Sequence, residues 1–159
     1  MVEKTIFLTE EGRKKLESEL EYLRTVRRPE VARRIHAAKE EGDITENAAY
    51  EDAKNEQAFL EGRIRTLEHI LQNAVLIDED SPTDAVNLGT RVTILEEGTE
   101  KEREPETYFI VGSAEVDPAN GRISNESPLG QALMGHRVGD VVPVETPEGL
   151  LRFRILRIE

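Results

Sequence analysis

A chain that repeats apolar residues in alternating steps of three and four has to bury them against another helix, and the first 80 residues of this chain do so twice. Ala53, Gln57, Leu60, Ile64, Leu67 and Leu71 keep that step pattern, the spacing of a coiled-coil seam. Upstream, Leu16, Leu20 and Leu23 begin a matching seam that becomes irregular around Pro29 and resumes with Val31, Ile35 and Ala38. Residues 10–41 hold one glycine, Gly12, and one proline, Pro29, and are otherwise rich in Glu, Lys, Arg, Leu and Ala, a composition that favours helix. Two such helices joined by a short turn bury their stripes by folding back on each other. The pattern therefore predicts an antiparallel coiled-coil hairpin. At 1.5 Å per residue, arms of about 30 residues are roughly 45 Å long, with the stretch Gly42-Asp43-Ile44-Thr45-Glu46-Asn47-Ala48-Ala49-Tyr50 at the tip.

Local rules give that stretch an ordinary explanation. Gly42 suits the end of the first helix, because glycine accepts a left-handed backbone. Asp43 then suits the N-cap of the second helix, with Glu46 three residues on completing a capping box. Against this stands the shape, since a long two-helix rod buries less surface per residue than a compact bundle. The first helix is expected from a Thr9 N-cap to about Glu41, with a bend or tight break at Arg27-Arg28-Pro29. The second is expected from about Thr45 to Asn73, with Gly62 explained by close packing against the first and Tyr50 packing near the tip.

Composition changes near Asp78-Glu79-Asp80-Ser81-Pro82-Thr83-Asp84. Residues 1–80 contain three glycines and one proline, residues 81–159 eight glycines and six prolines, so two domains, 1–80 and 81–159, are expected. From Asn87 the period becomes alternating: Val92 and Ile94, then Leu151, Phe153 and Ile155, read as half-buried strands. Residues 106–112 and 140–146 are further strand candidates. Asp117-Pro118-Ala119-Asn120-Gly121 reads as a turn, and Ser127 to Met134 as one short helix closed by Gly135. The fold class is α+β, a helical hairpin followed by a small antiparallel sheet domain with a single helix.

The formal net charge of -12 excludes a general basic nucleic-acid binder. Local charge differs: between residues 24 and 39, Arg24, Arg27, Arg28, Arg33, Arg34 and Lys39 face only Glu30. This sleeve reads either as a solvated helix face or as a contact for a phosphate backbone. The absence of cysteine excludes disulfides and thiolate chemistry. No apolar run reaches membrane-spanning length and no signal-peptide pattern opens the chain, so a cytoplasmic protein with no membrane partner is expected. His36, His69 and His136 are scattered without metal-ligand spacing. What remains as chemistry is Asp43 and Glu46, too few carboxylates to hold magnesium alone but enough to complete a site built by another protein.

The tip resembles that of the bacterial GreA/GreB transcript cleavage factors, usually written G-D-L-x-E-N-A-E-Y. The likeness extends through Phe59-Leu60-Glu61-Gly62-Arg63-Ile64 and Asn73-Ala74-Val75-Leu76-Ile77-Asp78. It returns in Ser127-Pro128-Leu129-Gly130-Gln131-Ala132-Leu133-Met134-Gly135 and Val138-Gly139-Asp140-Val141-Val142. Ile44 stands for the usual Leu, and Ala49 for a frequent Glu. The resemblance implies a C-terminal domain similar in fold to the FKBP prolyl isomerases, which by itself implies no isomerase activity. It implies a monomeric regulator, not an enzyme, whose hairpin enters the secondary channel of bacterial RNA polymerase and promotes cleavage of backtracked nascent RNA. On this reading no cofactor is bound by the free protein; Asp43 and Glu46 help hold a magnesium ion shared with the polymerase and orient the attacking water. Gly42, Asn47 and Tyr50 support the tip, and Arg27, Arg28, Arg33, Arg34 and Lys39 are candidates to face RNA. Ser127, Pro128, Leu129, Leu133 and Met134 are candidates for polymerase docking, with core packing as the plainer account of each. The rival readings are a related inhibitor of RNA polymerase that occludes the active centre, a coiled-coil chaperone or adaptor, and a prolyl isomerase.

Overall fold

The computed structural model describes residues 5–41, 47–80, 84–98 and 104–159. The chain forms two compact units, Glu11–Asn73 and, together, Met1–Glu10 with Ala74–Glu159.

The first unit is a helical hairpin. Its outgoing arm is α1 (Glu10–Tyr22), a single wide π-turn (Leu23–Arg27) and α2 (Arg28–Glu40); its return arm is α3 (Ala48–Asn73). Leu16, Leu20, Val31, Ile35 and Ala38 are buried on one arm, and Ala53, Leu60, Ile64 and Leu67 on the other, the two seams read from the sequence. No break occurs at Pro29. Proline lacks an N–H and its ring clashes with the carbonyl four residues back, and here the turn in front of it is widened so that the Arg28 N–H bonds to the Leu23 carbonyl. Pro29 then lies in the first turn of α2, and the irregular seam around it marks that wide turn. Gly62 also departs from expectation, because a Cβ placed on it would meet nothing within 4 Å. Close packing within the hairpin is not why it is glycine.

The second unit contains β1 (Phe7–Leu8), β2 (Val75–Leu76), β3 (Arg91–Glu96), β4 (Glu106–Val111), β5 (Arg122–Ser124), α4 (Pro128–Leu133), β6 (Val141–Thr146) and β7 (Gly149–Ile158). Five strands form one sheet in the order β5-β4-β3-β7-β6. Alternation, shifted by a bulge in β7 opposite Thr93/Ile94 that lets both Ile155 and Ile158 turn inward, sends Val92, Ile94, Ile110, Val142, Ile155 and Ile158 to one face, where Leu133 of α4 joins them in the core. Pro143 is tolerated because β6 lies at the sheet edge. The sheet is not wholly antiparallel: β5 runs parallel to β4, since the chain between them turns back through two short 3-10 segments, Ser113–Glu115 and Pro118–Asn120.

The division expected at residue 80 differs from these units. β1 and β2, 68 residues apart in register (Phe7 opposite Val75), pair in parallel and belong with the sheet. They are held there by specific contacts. The Thr9 N–H and hydroxyl donate to the Glu115 carboxylate at 2.7 and 2.5 Å. That carboxylate side chain is only 5% exposed and has the Arg122 guanidinium 3.6 Å away. At Gly112 the backbone of Phe7 comes so close that a Cβ would lie 2.1 Å from the Phe7 carbonyl oxygen. Gly112→Ala should therefore displace β1 and cost about 1–3 kcal/mol, the range for overpacking. Urea unfolding of the variant against wild type measures it.

Candidate functional site

The site lies at the end of the hairpin, between α2 and α3. Gly42, Asp43, Ile44, Thr45 and Glu46 lie outside the described residues; Asn47 and Tyr50 lie within them. Asn47 is the N-cap of α3. Its side-chain oxygen accepts the Tyr50 N–H at 3.2 Å, and its carbonyl accepts the Glu51 N–H at 3.1 Å, the two bonds expected of a cap. Its amide nitrogen donates to the Ala38 carbonyl at 2.7 Å, near the end of α2, where carbonyls lose their helical partners. One side chain thus ties the two arms together beside the site. The expected start of the second helix at Thr45 moves to Ala48, and the cap expected at Asp43 is supplied by Asn47. The signal was present in the sequence: asparagine directly before Ala-Ala-Tyr-Glu is a strong cap pattern, and the Asp43/Glu46 pairing obscured it.

The basic sleeve separates into two groups. Arg28 makes a bidentate pair with Glu61 at 2.9 and 2.8 Å. Arg27 binds Glu30 at 2.7 Å and also Glu56, which pairs with Arg34 as well. Arg24 pairs with Glu68 at 2.6 Å, and Arg63 of α3 is bidentate to Glu19 at 2.8 and 2.9 Å. Hydrogen bonding from Arg28 holds the Glu61 carboxyl below its usual range, and the same bond raises Arg28. Arg27, Arg28 and Arg34 are therefore engaged with the opposite arm. Among the described residues, Arg33 and Lys39 are exposed and have no ion-pair partner.

In the sheet unit, Ser127 caps α4, its Oγ accepting the Gly130 N–H at 3.0 Å. Leu133 is fully buried, and Leu129 and Met134 pack against the core, so core packing accounts for these three. Pro128 is exposed. Among the described residues, no group of three His, Asp or Glu is placed to hold a metal ion, and no helix is long and apolar enough to cross a membrane.

A helical hairpin and a small sheet unit on one chain define a class, and comparison with known proteins places the chain in it. Residues 6–76 match the family model for the N-terminal part of transcription elongation factors, and residues 81–159 match that for the C-terminal part of GreA/GreB. The chain belongs to the GreA/GreB family of transcription elongation factors. It is 55% identical over 156 residues to the transcription elongation factor GreA of Thermoanaerobacter pseudethanolicus, covering 98% of each chain. It is 54% identical over 161 residues to the GreA of Chloroflexus aurantiacus, covering 99% of each. Among solved structures, GreA factor homolog 1 of Thermus thermophilus is 34% identical over 98% of this chain and 99% of that one, with a TM-score of 0.45.

Replacing Asn47 by alanine should destabilise the hairpin by about 1–2 kcal/mol, at the upper end for a lost cap because the Ala38 bond goes with it. Asn47→Asp, which keeps the acceptor for the Tyr50 N–H but sets a second oxygen against the Ala38 carbonyl, should recover only the capping part of that loss, as followed by thermal melting of the helical circular-dichroism signal. The Glu61 shift also has a sign. A carboxyl lowered in the folded state adds stability above its unfolded value, and that contribution is lost as pH falls through the lowered one. Melting temperatures of wild type and Glu61→Gln should therefore converge between about pH 5 and pH 3.

Proposed function

We propose that this elongation factor binds bacterial RNA polymerase, inserts its hairpin end through the secondary channel, and stimulates the polymerase's own cleavage of backtracked RNA. The observation that carries this reading is the Asn47 cap. With α3 capped by Asn47 and α2 tied to it through Ala38, the start of α3 does not need Asp43 as its cap, which leaves Asp43 and Glu46 open to a functional reading. Two carboxylates within four residues of that cap in the sequence are what a partner's half-built metal site lacks. As a donor set they fit magnesium only in part, because that ion wants octahedral oxygen ligands and keeps several waters; the remaining ligands come from the polymerase. Magnesium held there would lower the pKa of an attacking water and offset charge on the leaving oxygen. Asp43 would be a ligand to the ion or its water shell, and Glu46 would help to position the attacking water. Asn47 and Tyr50 fix the start of α3, directly after Glu46 in the sequence. Arg33 and Lys39, which have no ion-pair partner among the described residues, are the sleeve residues left to face RNA phosphates. The factor works as a monomer, brings no cofactor of its own, and leaves bond cleavage to the polymerase; half-buried Ser127 and exposed Pro128 at the start of α4 contribute to docking.

The test uses backtracked bacterial transcription complexes with labelled RNA 3' ends and magnesium. Wild type should release short 3' fragments, while Asp43→Asn and Glu46→Gln should each lower the rate at least about 100-fold, the scale of losing a general acid-base group. Slowed intrinsic cleavage with wild type would point instead to an inhibitor, and unchanged activity in both variants to an adaptor.

A further inference from the structure

Arginines of the sheet unit are sorted to one side. Six are described between residues 84 and 159, and five of them, Arg91, Arg122, Arg152, Arg154 and Arg157, lie on the face of the sheet turned away from its core. Strand register puts them there, because paired residues on neighbouring strands point the same way. Arg122 of β5, Phe109 of β4 and Arg91 of β3 form one row. Thr107, Thr93 and Arg157 form the next, where the two threonine hydroxyls meet at 2.9 Å, and Leu95 with Arg154 forms a third. Arg152 follows two residues along β7. Acidic groups lie on the core side, where Glu96, Glu104 and Glu106 line a cavity with Ile94 and Phe153. Three carboxylates reach the arginine face: Glu97 pairs with Arg154, Glu159 with Arg157, and Glu145 stands at the far edge on β6. Arg122 is beside Glu115, whereas among the described residues Arg91 and Arg152 have no ion-pair partner. Charges more than about 8 Å away are largely screened at physiological salt, so a ligand on this face meets the arginines before it meets the net charge of -12.

The first row does more than carry charge. The Arg91 and Arg122 guanidiniums lie over the Phe109 ring, 4.6 and 5.5 Å from its centroid, and the ring is buried beneath them. A guanidinium anchored over a ring offers its outer side for a nucleic-acid base to stack on. The other three arginines continue along β7. Arg152 is level with Glu97, whose N–H bonds to the Arg152 carbonyl, so the track from Arg91 to Arg152 is six residues of strand, or about 20 Å. All five cations are arginine, whose planar fork binds phosphate oxygens in pairs. We propose that this face binds single-stranded RNA, with Arg91 and Arg122 stacking bases and Arg152, Arg154 and Arg157 following the phosphates. The choice of RNA rests on the proposed function, in which backtracking displaces the 3' end of the transcript as free single strand. A duplex fits less well, because its bases are stacked on one another and closed to the Phe109 row. An acidic protein segment needs only the charges and leaves that row without a role.

The test follows fluorescence anisotropy of a labelled RNA strand of about 12 nucleotides, within the range of single-strand sites, titrated with the full chain at several salt concentrations. Arg152→Gln combined with Arg157→Gln should raise the dissociation constant and lower the slope of log affinity against log salt by about 0.7 for each phosphate contact removed. Arg91→Lys keeps the charge and loses the plane. It should weaken binding about ten-fold, the scale of one lost stacked base, with the salt slope unchanged, a split that a merely positive surface would not produce. Arg137→Gln, which removes the sixth arginine, outside this face, should leave both values as in wild type. Absence of RNA binding would overturn the site, and so would binding that survives the face variants and is lost with Arg33→Gln and Lys39→Gln. Tighter binding of a DNA strand of the same sequence, or of a poly-glutamate peptide, would assign the face to that ligand and overturn the proposal as well. Cleavage of backtracked complexes is measured in parallel: cleavage without face-dependent RNA binding removes the site and leaves the proposed function, and face-dependent RNA binding without cleavage does the reverse.

Discussion

The hairpin depends on burial of a narrow apolar seam. Fully burying a leucine or isoleucine side chain is worth about 1.5–3 kcal/mol, and Leu16, Leu20, Val31, Ile35, Leu60, Ile64 and Leu67 line the two buried stripes. The arginine and glutamate pairs beside the seam stand in water, where desolvation is small and solvent screens them, so they add far less. Their contribution is to register. Arg28 with Glu61, Arg63 with Glu19 and Arg24 with Glu68 fit one alignment of the arms, and a slip by one turn would unpair them together. Position at the hairpin end is inherited from that alignment, because Asn47 reaches Ala38 only in this register.

Within the sheet unit, a small set of contacts incorporates two chain segments distant in sequence. The parallel pair β1 and β2 is too short to persist alone. The Glu115 carboxylate accepting both donors of Thr9, and the close approach of Phe7 to Gly112, give it a base. Arg122, beside Glu115, also lies over the Phe109 ring at 5.5 Å, with Arg91 over the same ring at 4.6 Å. Charge, hydrogen bonding and ring packing are thereby joined in one cluster next to the strand pair.

Local misreadings of the sequence share a cause. Asp43 with Glu46 satisfied a capping rule on paper, yet Asn47 satisfied the same rule and also reached a carbonyl nine residues upstream, a contact no local rule contains. Pro29 suggested a bend or a tight break, and the irregularity takes the form of one widened turn, Leu23–Arg27, after which the helix continues. Gly62 was assigned to internal packing for want of any view of what surrounds it. The sleeve arginines read as one group because their partners, Glu56, Glu61 and Glu68, are 22 to 44 residues away.

The amino-acid sequence by itself determined the elements and their faces: two seams of coiled-coil spacing, alternating strands after Asn87, a Ser-Pro helix start at Ser127 and an acidic stretch between two helices. These follow from periods of 3.6 and 2 and from backbone preferences, which are local. Tertiary structure alone decided that β5 runs parallel to β4, that residues 5–10 and 74–80 belong with the sheet, which sleeve cations remain unpaired, and that Phe59 stays in solvent. Each of these is settled by which surfaces meet across long stretches of chain, and periodicity carries no information about that pairing.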